Sequence, residues 1–82
     1  MIKETIIKII EDITGLDGEY LNNNPELNLF ENCILDSLSI VNLISEVEIR
    51  LNIKIDISKH KPEEFINISS LTNLFEKEKQ NH

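Results

Sequence analysis

Apolar positions recur along the first thirteen residues at the spacing of one helical face. Ile2, Ile6, Ile9, Ile10 and Ile13 fall at i, i+4, i+7, i+8 and i+11, which predicts an amphipathic helix over residues 2–13. Gly15 follows at the position where helices commonly end in a left-handed residue. The pattern then lapses. Asp17-Gly18 and Asn22-Asn23-Asn24-Pro25 are turn signals, so residues 16–36 read as one long connection. A loop of that length is uncommon in a compact domain unless it packs or acts. Leu16, Leu21, Leu27, Leu29, Phe30, Ile34 and Leu35 can supply the packing by pinning the loop across the helix ends.

A second strong periodicity begins after Asp36-Ser37. At about 100° per residue, Ile40, Leu43, Ile44, Val47 and Leu51 gather on one face of a helix running from Ser37 to about Leu51. Leu38, Val41 and Ile49 point well away from that stripe, with Ser45 between them and Glu46 and Glu48 on their flanks. Isolated exposed apolar residues are ordinary, but three on one acidic-rimmed face indicate a partner surface. Residues 51–57, Leu-Asn-Ile-Lys-Ile-Asp-Ile, alternate apolar and polar, which alone would be a β-strand. No second segment alternates in the same way to complete a ladder. An extended linker is therefore expected, with Ile53, Ile55 and Ile57 turned inward.

Helical signals resume at Pro62, which suits a first helical position, with Glu63 and Glu64 at its positive end. Phe65 and Ile66 would bury this short helix. Asn67 or Ser69 could cap the last helix, with Leu71, Leu74 and Phe75 inward and Lys77 and Lys79 near its end. The tail, residues 80–82, is expected to fray. The chain thus predicts an all-α fold in one domain spanning residues 1–82.

Composition narrows the class. A formal net charge of −7 over 82 residues argues against nucleic acid and favours docking on basic partners. The single cysteine, Cys33, forbids an internal disulfide and suits a reducing compartment. Lys3, Glu4 and Lys8 interrupt the N-terminal isoleucines, so no signal peptide is expected there. Nothing approaches the run of about 18 apolar residues that a membrane span needs. A cytoplasmic monomer is the expectation. Metal chemistry finds no support. An EF-hand with Gly18 at its sixth position would put Ile13 at the first ligand position, where an aspartate is required. His60, His82 and Cys33 are too few and wrongly spaced for a metal site. Cys33 with His60 as a nucleophile pair has no third orienting group, and Cys33 reads as a small apolar loop residue.

The remaining candidate chemistry is Asp36-Ser37. Both residue types accept hydrogen bonds from the unpaired N–H groups of a first helical turn, and that turn is also a natural seat for a phosphate. A serine there is either a simple cap or a hydroxyl converted to a phosphodiester. Ser39, further into the helix, reads as a helix-surface hydroxyl. Leu35-Asp36-Ser37-Leu38 opening a helix, with Leu29-Phe30 in the loop before it and Pro62-Glu63-Glu64-Phe65 before the last helix, resembles the acyl and peptidyl carrier proteins. The order of elements resembles their four-helix bundle, three longer helices and one short, over essentially the whole chain. The Phe65 region is similar to that of discrete biosynthetic carriers and of the D-alanyl carriers of teichoic acid modification.

By that resemblance, a phosphopantetheinyl transferase uses coenzyme A and magnesium to place 4'-phosphopantetheine on Ser37 Oγ, with Asp36 positioning the metal or the transferase. The arm's thiol then holds an acyl or aminoacyl thioester. A loading ligase and a downstream transferase or synthase are the implied partners, and the protein itself catalyses nothing. The resemblance also makes the helix after Ser37 the recognition helix, with Leu38 and Val41 as its apolar contacts. Asn42 stands where many fatty-acid carriers have a glutamate, and Arg50 adds a positive charge, a departure from the face that standard fatty-acid synthase enzymes meet. The rival expectation is an unmodified acidic helical adaptor, in which Ser37 only caps and Leu38, Val41 and Ile49 bind a partner.

Overall fold

The computed structural model describes residues 2–80. Helix α1 spans Ile2–Thr14 and buries Ile6, Ile7, Ile9 and Ile10, the predicted stripe widened by Ile7. It ends as its sequence predicts. Gly15 takes a φ of +77°, a left-handed conformation open to glycine, and its N–H donates to Glu11 O at 2.8 Å.

The long connection holds a helix that periodicity did not reveal. Helix α2, Gly18–Asn23, is capped by Asp17, whose side chain accepts from Glu19 N–H. Its six residues bury Leu21 alone, too little repetition to register as a 3.6-residue pattern. Gly18 sits hard against α1, where its N–H donates to Glu11 Oε2 at 2.8 Å and a Cβ would lie 3.0 Å from that same oxygen. Beyond α2 the loop is pinned much as predicted. Leu29 and Leu35 are buried, Leu29 N–H donates to Ile66 O at 2.7 Å, and Ser69 N–H donates to Pro25 O at 3.1 Å.

Helix α3 spans Ser37–Leu51 and buries Leu43, Ile44 and Val47, with Ile40 and Leu51 half-buried on the same side. Asn52, at φ 55°, turns the chain out of the helix. The linker that follows forms no strand among the described residues. Ile53 is buried and Ile55 packs against the core, but Ile57 is 45 % exposed, contrary to the expectation that all three turn inward. The reason is local. Asp56 accepts from Ser58 N–H and opens a 3-10 turn, Ile57–Lys59, which ends the two-residue alternation before Ile57 can use it.

The short helix expected from Pro62 is a second 3-10 turn, Pro62–Phe65, that buries Phe65. Helix α4 spans Ile68–Gln80 and buries Ile68, Leu71, Leu74 and Phe75. Asn67 is its cap, with Oδ1 accepting Ser70 N–H at 2.7 Å. Ser69, the other candidate, instead donates through its hydroxyl to Glu26 at 2.8 Å and ties the loop to α4. Gln80 is helical, and the rest of the tail predicted to fray lies outside the described residues.

The four helices enclose one apolar core, and among the described residues no polar or charged side chain is buried. Each fully buried leucine, isoleucine or phenylalanine contributes about 1.5–3 kcal/mol. Among the described residues no helix is long and apolar enough to cross a membrane. The consequence for function is that α3 packs on α1 and is tied to the linker through Glu48, with Ser37 at its N-terminus exposed.

Candidate functional site

The start of α3 is fixed from both directions. Upstream, Cys33 at φ 57° turns the chain, and Ile34 and Leu35 N–H groups both donate to Leu29 O, at 2.8 and 3.0 Å. Leu35 is buried and anchors the residue before the helix. Downstream, Asp36 is the N-cap, its Oδ1 accepting Ser39 N–H at 2.8 Å while its carbonyl takes Ile40 N–H at 2.9 Å. The Ser39 backbone N–H, backed by the Ser39 hydroxyl, holds the Asp36 carboxyl below its ordinary range, so it stays ionised.

Ser37 is then the first helical residue and exposed. Asp36 does the capping, and among the described residues no hydrogen bond forms to Ser37 Oγ. The adaptor expectation, in which Ser37 only caps, loses its account of this serine. Ser39 is half-buried and its N–H is committed to Asp36. An exposed, unengaged hydroxyl at the positive end of a fifteen-residue helix fits a phosphodiester, which that end stabilises.

A cavity of about 520 Å³ opens beside Ser37. Its apolar wall includes Phe30, Val41, Ile44, Ile57 and Phe65, and its polar groups are Asn28, Glu31 and His60. Sequence reasoning singled out Ser37 and Val41 here but missed Asn28, Phe30, Glu31 and Ile57 as neighbours. They come from the loop and the linker, where no periodicity marks a face.

The other predicted site residues are placed as follows. Leu38 and Ile49 are 72 % and 74 % exposed and Val41 is 48 % exposed, so the three stand off the core as their angles require. Glu46 lies 3.7 Å from Arg50, which lies 3.7 Å from Asp12 on α1. Glu48 is no free rim charge. Its Oε2 accepts Ile55 N–H at 2.7 Å and ties the linker to α3. Cys33 lies in the loop, exposed, in a left-handed turn. His60 faces Glu64 and Glu78, not Cys33, and no cluster of metal-ligating side chains forms among the described residues.

The phosphopantetheine attachment site family matches residues 4–75, from α1 to the middle of α4. The chain belongs to that family. A D-alanyl carrier protein of Enterococcus faecalis is 46 % identical over 57 residues, 70 % of this chain and 70 % of that protein. D-alanyl carrier protein 2 of Lactiplantibacillus plantarum is 36 % identical over 64 residues, 78 % of this chain and 76 % of that one. A D-alanyl carrier protein of Listeria innocua is 35 % identical over 63 residues, 77 % of this chain and 78 % of that one. This carrier protein uses covalently attached 4'-phosphopantetheine to hold an acyl or aminoacyl group. Carrier proteins of this kind generally work with a transferase and ligases and are not themselves enzymes.

Proposed function

We propose that Ser37 Oγ is the attachment atom and that the group carried is D-alanyl. The observation that supports the site is the exposed Ser37 hydroxyl, relieved of capping by Asp36 at the start of α3. The cargo follows from the relatives' names. In the attachment step Ser37 Oγ bonds to phosphorus as the pyrophosphate P–O bond of coenzyme A breaks, adenosine 3',5'-bisphosphate leaves, and the hydroxyl proton passes to the transferase. The arm's thiol supplies the thioester chemistry. This chain supplies a rigid address and adds no catalysis of its own.

Asp36, Leu38, Val41 and Ile49 form the recognition surface for the phosphopantetheinyl transferase, the loading ligase and the downstream acceptor enzyme, with Glu46 at its edge. Glu48 contributes by fixing the linker. Residues 1–82 act as one cytoplasmic, monomeric carrier domain. The test is intact mass after incubation with coenzyme A and a broad-specificity transferase. The wild-type protein and Ser39→Ala should each gain one phosphopantetheine, and Ser37→Ala should gain none. Loss of the gain in Ser39→Ala alone would move the site, and no gain in the wild-type protein would favour the adaptor. Offering the modified protein ATP with D-alanine and a D-alanine-activating ligase, or with a fatty acid and a fatty-acid-activating ligase, then tests the cargo, with mass gain expected from D-alanine alone.

A further inference from the structure

The His60 ring lies between two carboxylates. Nδ1 is 3.2 Å from Glu64 Oε2, Nε2 is 3.0 Å from Glu78 Oε1, and the side chain is 14 % exposed. An ionised carboxylate only accepts, so a ring that satisfies both partners carries a proton on each nitrogen. A neutral ring donates from one nitrogen and turns a lone pair toward the other carboxylate. Glu64 has a second donor, Lys61 N–H at 2.7 Å, and keeps its place in either case. The ring also stands edge-on to Phe65, with centroids 6.3 Å apart and planes at 85°.

The position of this contact gives it a consequence. His60 sits between the two 3-10 turns and Glu78 is on α4, so the contact joins residues 57–66 to the last helix. The same segment supplies Ile57, His60, Pro62, Phe65 and Ile66 to the wall of the cavity beside Ser37. The charged groups around the ring are mixed. Asp56 and Lys59 flank it in the first turn, Lys61 and Glu64 in the second, Lys77 and Glu78 come from α4, and Glu31 lies across the cavity. Imidazole is the side chain that exchanges its proton in the neutral range.

We propose that His60 is a proton-operated clasp on the Ser37 cavity. With both nitrogens protonated it ties residues 57–66 to α4. Loss of the Nε2 proton, with Nδ1–H kept on Glu64, breaks the contact with Glu78, releases that wall and widens the cavity. The device acts on the protein itself and does not depend on what Ser37 carries.

Hydrogen–deuterium exchange of the 82-residue chain tests it at about pH 5.5 and about pH 8. After correction for the pH dependence of intrinsic exchange, protection of residues 57–66 should fall about tenfold at the higher pH, the size of one lost charge-assisted hydrogen bond. Protection of α1 should not change. In Glu78→Gln the amide can donate to an unprotonated Nε2 while Nδ1–H stays on Glu64. That variant should keep the low-pH protection of the wild-type protein at both pH values. His60→Ala should be weakly protected in this segment at both. Equal wild-type protection at the two pH values, a parallel fall in α1, or a wild-type-like fall in Glu78→Gln would each overturn the clasp.

Discussion

At the scale of single residues, the site depends on a division of labour between neighbours. Asp36 satisfies the first turn of α3 and Ser37 is left with its hydroxyl in solvent. Because the Ser39 N–H lowers the Asp36 carboxyl, this cap strengthens folding above the ordinary carboxylate range. Its contribution is lost as the pH falls through the lowered value. Thermal melts of the wild-type protein and Asp36→Asn should therefore differ most near neutrality and converge in acid. A gap that stays constant with pH would mean that Asp36 caps through geometry alone. The Asp36-Ser37 pair was legible in the sequence because capping chemistry is local and spelled in two adjacent letters. The role of Glu48 was not. Its partner is the backbone of Ile55, seven residues on, and a helical wheel shows only that Glu48 faces outward. Ile57 and Glu31 were missed as neighbours of Ser37 for the same reason, since the loop and linker bring them there through turns.

At the scale of elements, α3 presents one buried and one exposed apolar face. Leu43, Ile44 and Val47 are buried in the bundle, while Leu38, Val41 and Ile49 face solvent. Ile44→Ala should destabilise the fold by about 2–5 kcal/mol, because it removes a buried side chain from the core and enlarges the cavity whose wall it forms. Val41→Ala removes a half-exposed side chain and should cost far less, yet slow modification or loading, since Val41 also lines the cavity beside Ser37. Urea denaturation set beside single-turnover loading separates the two effects, and equal destabilisation by both variants would refute the division of faces. Helices α1, α3 and α4 were legible because each repeats its apolar face over three or more turns. Helix α2 and the first 3-10 turn were not, being shorter than the period that would announce them, whereas the Pro62 turn was marked by its proline and the glutamates after it. The alternation of residues 51–57 pointed toward a strand, and the absence of a second alternating segment correctly outweighed it.

At the scale of the whole molecule, a formal charge of −7 acts on encounter more than on the docked state. Exposed charges at the edge of an interface steer association, and their reach shrinks to about 8 Å at 0.15 M ionic strength. Glu48 is unsuited to testing this, because its substitution would also loosen Ile55 from α3. Glu46 is a better choice. Its 3.7 Å pairing with Arg50 is exposed, so neutralising it removes little folding energy. Glu31 is exposed and lines the cavity beside Ser37, which makes it a second suitable position. If the transferase approaches with a basic surface, the modification rate of the wild-type protein at sub-saturating concentration should fall as salt rises. Glu46→Gln with Glu31→Gln should start lower at low ionic strength and respond less steeply. The two curves should meet once screening is complete, and melting temperatures should stay close throughout. A rate indifferent to salt and equal in both proteins would show that the acid residues only solvate this face, leaving Leu38, Val41 and Ile49 to carry recognition by apolar contact alone.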